Sequence, residues 1–496
     1  MSMELRQLLA ALAPGYQVEG PVDIQIDQIT CDSRRTGPGG LFVAIRGGEE
    51  QDRHQFVPDA VSRGAAAVVV EEELPSGRAT RVRVDNCRRA LALLAGAFYG
   101  RADRDLTKVG ITGTKGKTTT AFLVQQMLAA AGRPCGYVGT LGCIIGGELD
   151  KELRNTTPEA AELHRLFRAM REAGKSAVAM EVSSHALALE RVGGVQFEVG
   201  VFTNFSRDHL NFHQTTEDYF AAKARLFAQS DRAVINADDA AGQRLIASLE
   251  TPVLGFGRSP AAQVRLIEHR HTAGGMVLRL RTPRGEEQVE SRLTGGFNCH
   301  NILAAFACGL ALELAPEAVA RGIAALDQVP GRFERVDLGQ DFAVIVDYAH
   351  SPASLETVLQ TAREITRNRL ICVFGCGGDR DRGKRPLMGG IAGRLADRVI
   401  ITSDNPRSEA PEAIIAEIAA GLPDPGKAEL IADRRQAIER ALAAGRPGDV
   451  VVIAGKGHET VQLFADRAIE FDDRQVARQV LRGLAGNGGA AAAGRG

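Results

Sequence analysis

The segment Gly110-Ile111-Thr112-Gly113-Thr114-Lys115-Gly116-Lys117-Thr118-Thr119 follows the apolar run LTKVGIT and leads into TTTAFLVQQMLAAAG, which reads as a helix. A glycine-rich turn between strand and helix aims backbone N–H groups and the positive end of the helix dipole at one point, an arrangement suited to phosphate. There Lys117 would neutralise terminal phosphate oxygens, and the Thr118 hydroxyl is a hard oxygen ligand for Mg²⁺. Gly113, Thr114, Lys115, Gly116 and Thr119 complete the cradle. The strict G-x-x-x-x-G-K-T spacing is not met, because Ile111 stands at the first glycine position. Taken alone, the loop therefore also admits an ordinary glycine-rich turn.

Further on, Glu181 ends an apolar strand and is followed by Ser183, Ser184 and His185. His209 and His213 stand four apart in FTNFSRDHLNFH, the spacing of two zinc ligands on a helix, but no third ligand or HExxH context accompanies them. A lone histidine is more often structural. Lys223, in DYFAAKARLF, lies between apolar residues at helical spacing and reads as a surface lysine covering two packed turns.

These residues need a scaffold, and 496 residues are too many for one ordinary core; about 150 residues per domain suggests three. Residues 1–100 mix short strands (LFVAI, AAAVVV) with helices. From Leu106 the pattern becomes strand, glycine-rich turn and helix, repeated through SAVAMEV and VGVFTNF, which predicts a largely parallel sheet covered on both faces. A polar, strand-rich stretch runs from about Val264 to Leu293. A second α/β series, AVIVDY, LICVFGC, RVIITSD, AELIAD and DVVVIAGKG, predicts a Rossmann-like third domain. Its polar clusters GGDRDRG, SDNPRSE and GKGHE directly follow strands, where open α/β sheets bind ligands. The expected boundaries are 1–100, 101–331 and 332–485, with a disordered Gly/Ala tail over 486–496.

Sixty Lys plus Arg against 61 Asp plus Glu leave no charge excess to draw the chain to nucleic acid or an anionic membrane. No apolar run approaches a membrane span, and the opening MSMELRQLLAALAPG lacks the layout of a secretion signal. A cytoplasmic enzyme of small molecules is expected. The eight cysteines make no C-x-x-C pair, and several sit in apolar runs, so buried free thiols are expected.

In order along the chain, GTKGKTT, NTTPE, MEVSSHAL, FTNFSRDHLNFH, AAKARLF, GGFNCHN, GRFERV, VDYAHSP, GCGGDRDRGKRP, SDNPR and AGKGHE resemble the Mur ligases of peptidoglycan synthesis. The likeness runs from about Asp32 to Glu459. It implies three domains, for a UDP-sugar, for ATP and for an incoming amino acid, and an ATP-dependent amide ligase; a monomer is expected. The branch it most resembles adds meso-2,6-diaminopimelate to UDP-N-acetylmuramoyl-L-alanyl-D-glutamate. The resemblance implies that Lys223 is carbamylated and that with His209 it holds a second Mg²⁺, the first being held by Thr118 and Glu181. It implies adenine or nucleotide contacts at Asn298, Asn301, Arg332 and Asp347. For the UDP-substrate it implies Cys31, Ser33, Asn155, Thr156, Thr157, Ser183 and Arg191, and for the amino acid Arg380, Asp404, Asn405, Pro406, Arg407, Gly455 and Glu459. Leu189 stands where related enzymes can carry Gln, and Gly48, Glu49 and Glu50 differ from the loop those enzymes place near uridine.

Two alternatives follow from the same residues. A sister ligase would add lysine to the muramoyl dipeptide or glutamate to a folate; a switch protein would hydrolyse ATP without making an amide. The planar guanidinium of Arg407 matches the second carboxylate that diaminopimelate has and lysine lacks.

Overall fold

In the computed structural model, residues 2–493 are described apart from 13, 48–51, 76, 151–152, 154, 211 and 273. The Gly48–Glu50 expectation therefore lies outside the described residues. The chain forms two compact units, residues 1–291 with 300–326, and residues 292–299 with 327–496.

The first unit carries two α/β sheets. The N-terminal one orders Tyr16–Glu19, Thr80–Val84, Ala65–Val70, Gly40–Val43 and Gln28–Thr30, parallel except for its first strand. Helix Cys87–Phe98, capped by the Asn86 side chain on Arg89 N, buries Leu91, Leu94 and Phe98 against it. The second sheet has eleven strands. Seven consecutive neighbours, Cys135–Gly139, Ala177–Glu181, Thr107–Thr112, Phe197–Phe202, Ser230–Asn236, Val253–Gly257 and Val264–Thr272, run parallel. Their buried runs lack alternation, as expected where helices cover both faces. The polar stretch after Val264 is an antiparallel meander ending at Ser291.

The second unit is a six-stranded sheet, ordered Glu334–Arg335, Ala343–Asp347, Val450–Ala454, Leu370–Phe374, Arg398–Ile401 and Ala428–Leu430, parallel except for the short first strand. A hairpin, Val461–Leu463 with Ala468–Glu470, follows. The last helix spans Asp473–Ala493, so it runs through 486–493 of the segment expected to be a disordered tail; 494–496 lie outside the described residues. All eight cysteines are free and buried. No helix among the described residues is long and apolar enough to cross a membrane.

Candidate active site

Strand Thr107–Thr112 lies between Ala177–Glu181 and Phe197–Phe202, and its C-terminal end opens into the glycine loop before helix Lys117–Ala130. Gly113 has φ +140°, and a Cβ there would sit 1.9 Å from Thr203 Oγ1. A side chain is thus excluded by both conformation and space. The loop is braced from the strand next door. Thr203 Oγ1 donates to Lys115 O (2.6 Å), Asn204 Oδ1 accepts from Lys115 N (2.9 Å), and Asn204 Nδ2 donates to Lys115 O (3.0 Å). Thr114 Oγ1 accepts from Ser206 N (3.0 Å) and lies 3.3 Å from the Tyr219 hydroxyl. Lys117 Nζ donates to the carbonyls of Gly113 and Thr114, both at 3.0 Å, and Thr118 and Thr119 are buried on the first turn. Thr203, Asn204 and Asp208, which pairs with Lys115 at 3.4 Å, escaped the sequence reading as individual residues. Their signal was their place directly after a parallel strand.

Lys223 is not a surface residue. It is 1% exposed, donates from Nζ to Gly113 O at 2.8 Å, and lies over the Tyr219 ring at 4.5 Å from the centroid. Burial, reinforced by Lys117, pushes its pKa well below the usual lysine value, which favours the neutral amine. His209 adopts a left-handed backbone (φ +52°) in a loop that precedes helix Thr216–Ala224, so His209 and His213 do not form a helical i, i+4 pair. Its ring contacts His185, at 5.0 Å between centroids, and burial lowers its pKa, keeping a nitrogen lone pair available. His213 is instead engaged with Ser184 Oγ at 3.0 Å. Glu181 is 1% exposed at its strand end and receives the Tyr137 hydroxyl (2.7 Å) and Thr140 N–H (2.9 Å) on Oε1.

The residues expected near the UDP-substrate surround the turn after Glu181. Thr157 Oγ1 donates to Glu181 O (2.9 Å) and accepts from Ser183 N (3.1 Å), while Arg191 donates to Thr157 O (3.0 Å) and Glu159 (2.9 Å). Asn155 is exposed and Thr156 half-buried beside Thr140, with the two hydroxyls 3.1 Å apart. In the N-terminal sheet, Cys31 and Ser33 are buried at the end of Gln28–Thr30; Arg53 donates to Cys31 O at 2.7 Å, and burial raises the Cys31 thiol to about 11. Asn301 Oδ1 accepts from Thr120 in the helix after the loop (3.4 Å).

Among the described residues, the three-ligand His/carboxylate group close enough for a metal is Asp52, His54 and Glu72. His54 Nδ1 already bonds Asp52 (2.6 Å) and Nε2 accepts from Glu71 N (2.9 Å), so both ring nitrogens are engaged.

In the second unit, the three polar clusters follow three consecutive parallel strands, Val450–Ala454, Leu370–Phe374 and Arg398–Ile401, with Leu370–Phe374 in the middle. Asn405 is held on all sides: its amide nitrogen donates to Glu459 (2.8 Å), and its oxygen accepts from Leu463 N (3.0 Å) and Lys456 Nζ (3.1 Å). Lys456, fully buried, also donates to Glu459 at 2.9 Å. Glu459, expected to meet an ammonium, is already paired with one supplied by the chain. Arg407 has φ +52°, donates from its backbone to Leu463 O (3.0 Å) and from Nη1 to Gly378 O (2.8 Å). Asp404 and Pro406 are buried in the same turn, Gly455 N donates to Asp347 O (3.1 Å), and Arg380 contacts its neighbour Asp379 O (3.2 Å). Asp347 accepts from Phe333 N and Ala349 N, Arg332 lies over Tyr348 at 4.7 Å, and Asn298 donates to Thr294 O at 2.7 Å. Lys456 carried a usable signal, a lysine between two glycines at a strand end.

Three family models match the chain: the Mur ligase family catalytic domain over residues 25–99, the Mur ligase middle domain over 111–309, and the Mur ligase glutamate ligase domain over 331–457. The UDP-N-acetylmuramoyl-L-alanyl-D-glutamate--2,6-diaminopimelate ligase of Syntrophomonas wolfei is 45% identical over 489 residues, spanning 97% of this chain and 99% of the relative. The ligase of that name from Bacillus cereus is 42% identical over 496 residues, spanning 98% and 100%. A solved structure bearing the same name is 32% identical, with TM-score 0.71 over 98% of this chain and 99% of that one. MurF from Acinetobacter baumannii, 18% identical with TM-score 0.65 over 92% and 95%, shares the fold. With a braced glycine-rich loop in one α/β domain, a polar strand-end cluster in another and full-length likeness on top of both, the chain belongs to the Mur ligase family.

Proposed function

We propose that this protein is the ATP-dependent ligase that adds meso-2,6-diaminopimelate to UDP-N-acetylmuramoyl-L-alanyl-D-glutamate in peptidoglycan precursor synthesis, acting in the cytoplasm as a monomer. The observation that carries the reading is the Gly113–Lys117 loop with Lys117 and buried Lys223 on its carbonyls, in a chain matched end to end by ligases of that name. The glutamyl γ-carboxylate attacks the γ-phosphorus of ATP; an O–P bond forms, ADP leaves, and an acyl phosphate results. The amine of diaminopimelate, having lost its proton, attacks the acyl carbon, and phosphate departs as the amide forms. Both steps bring anions together, so charge placement and orientation carry the catalysis, without a side-chain nucleophile.

The donor set fits Mg²⁺: Thr118 and Glu181 offer hard oxygens, and His209 is kept neutral by burial. Lys223 as a cation would not fit, whereas a carbamate on its neutral amine would. Bound there, the cation would offset the growing charge on phosphate oxygens. Lys117 does so from the protein.

In the third domain Arg407 grips the distal carboxylate of diaminopimelate, with Arg380, Asn405, Gly455 and Glu459 around the amino acid. Arg407→Met should raise KM for diaminopimelate about 10- to 100-fold, the worth of one or two charged hydrogen bonds. It should also erase most of the preference over lysine, which steady-state comparison of the two amines checks. The overall reading is tested by phosphate release from ATP. It should require both the UDP-dipeptide and diaminopimelate; release indifferent to either would sink the ligase in favour of an ATP-hydrolysing switch.

A further inference from the structure

We propose that Tyr137, together with Thr140, is a positioning residue that fixes the Glu181 carboxylate so that Oε2 is the oxygen presented to a divalent cation. The proposal rests on the reading of Glu181 as a magnesium ligand. A carboxylate offers roughly two acceptor sites on each oxygen. Both sites of Oε1 are taken, by the Tyr137 hydroxyl at 2.7 Å and Thr140 N–H at 2.9 Å, whereas among the described residues Oε2 receives only the Thr140 hydroxyl at 3.1 Å. One oxygen is therefore anchored and the other keeps a lone pair in a fixed direction.

The anchor is itself rigid. Tyr137 is fully buried on strand Cys135–Gly139, which runs parallel to Ala177–Glu181. Its ring packs on Phe122, 4.5 Å between centroids, in the helix that starts at the phosphate loop. Room for the bond depends on Gly139: a Cβ there would lie 2.3 Å from the Tyr137 hydroxyl and 2.4 Å from Glu181 Oε1. The Thr140 hydroxyl, in giving its proton to Glu181, accepts from Thr156 at 3.1 Å, so the chain of bonds reaches the loop expected to meet the UDP-substrate. Partners that orient metal ligands in this way typically change metal affinity about 10- to 100-fold when removed.

The test titrates Mn²⁺ into the full-length protein with ADP, reading free Mn²⁺ by electron paramagnetic resonance, for the wild type, Tyr137→Phe, Thr140→Val and Glu181→Gln, with a melting curve for each. Tyr137→Phe should bind Mn²⁺ about 10- to 100-fold more weakly at a near-wild-type melting temperature. Its affinity for ADP in EDTA and its KM for the amino acid should not move, a pattern that a merely structural tyrosine would not produce. Glu181→Gln binding Mn²⁺ like the wild type would overturn the reading of Glu181. Glu181→Gln losing the ion while folded Tyr137→Phe retains it would overturn the positioning role alone. If Tyr137→Phe does not fold, Tyr137→Met, which also lacks the hydroxyl and can repack beside Phe122, decides by the same outcomes.

Discussion

Lys223→Ala is expected to lower kcat by about 10²- to 10³-fold, the usual effect of removing one charge-stabilising group from such a site. The variant should stay folded, because the residue meets the loop through one hydrogen bond to Gly113 O and one face of Tyr219. Burial and the nearby Lys117 lower the pKa of Lys223 and so favour its neutral amine, the form that takes up CO₂: the N–C bond forms, a proton leaves, and a carbamate anion remains. That places a negative charge beside Lys115 and Lys117. Bicarbonate or another small carboxylate should restore part of the lost activity by occupying the vacated space, and Lys223→Arg, which cannot form the carbamate, should stay inactive. Carbon-13 bicarbonate should give the wild type a carbamate resonance that Lys223→Ala lacks. No recovery, together with no resonance in the wild type, would count against carbamylation.

The second large effect is on stability. Arg434 and Asp473, both 0% exposed, form a two-pronged pair at 2.8 and 2.7 Å. The remaining guanidinium donors reach Ser403 O (3.2 Å) and Ala454 O (3.0 Å), tying together the ends of the strands that carry SDNPR and GKGHE. Burial opposes the charge on Arg434, but attraction to Asp473 and the hydrogen bonds outweigh it and hold the pKa above its ordinary value. Asp473→Ala leaves that cation buried and alone, at a cost of about 3–5 kcal/mol. For a unit of this size the melting temperature should fall by roughly 10 °C. The double replacement Arg434→Met with Asp473→Leu should recover most of the loss, since an apolar pair needs no compensation. Calorimetry of the three proteins checks this; a single variant as stable as the wild type would show the pair to be dispensable. Amino acid KM should rise in Asp473→Ala as the two loops lose their common tie.

Much of the scaffold was legible in the sequence. The glycine-rich turn between strand and helix, the parallel character of the second sheet and the strand-end location of GGDRDRG, SDNPRSE and GKGHE follow from apolar runs punctuated by glycine and polar residues, and they stand in the structure where those runs place them. Residues whose role depends on distant partners were less legible. Lys223 shares a helical stripe with Tyr219 four residues earlier, and apolar periodicity cannot tell a lysine that lies across such a stripe from one drawn inward to a backbone carbonyl 110 residues away. His209 and His213 have helical spacing, but the helix starts only at Thr216, and sequence spacing says nothing about the left-handed backbone at His209. Tyr137 looked like one more apolar strand residue, because nothing local announces a carboxylate 44 positions on. Within the motifs themselves, Lys456 was passed over for its neighbours Gly455 and Glu459, although it is the one that holds Asn405 and Glu459 together.

The strand order of the first unit also sets a timetable for synthesis. Every strand of the N-terminal sheet lies within residues 16–84, so a nascent chain can close that sheet early. Strand Thr107–Thr112 must wait for partners from residues 177–202, with a long loop-closure entropy to overcome before its first rung forms. Until then the apolar stretch that leads into the glycine loop emerges from the ribosome unpaired, which exposes it to aggregation during synthesis.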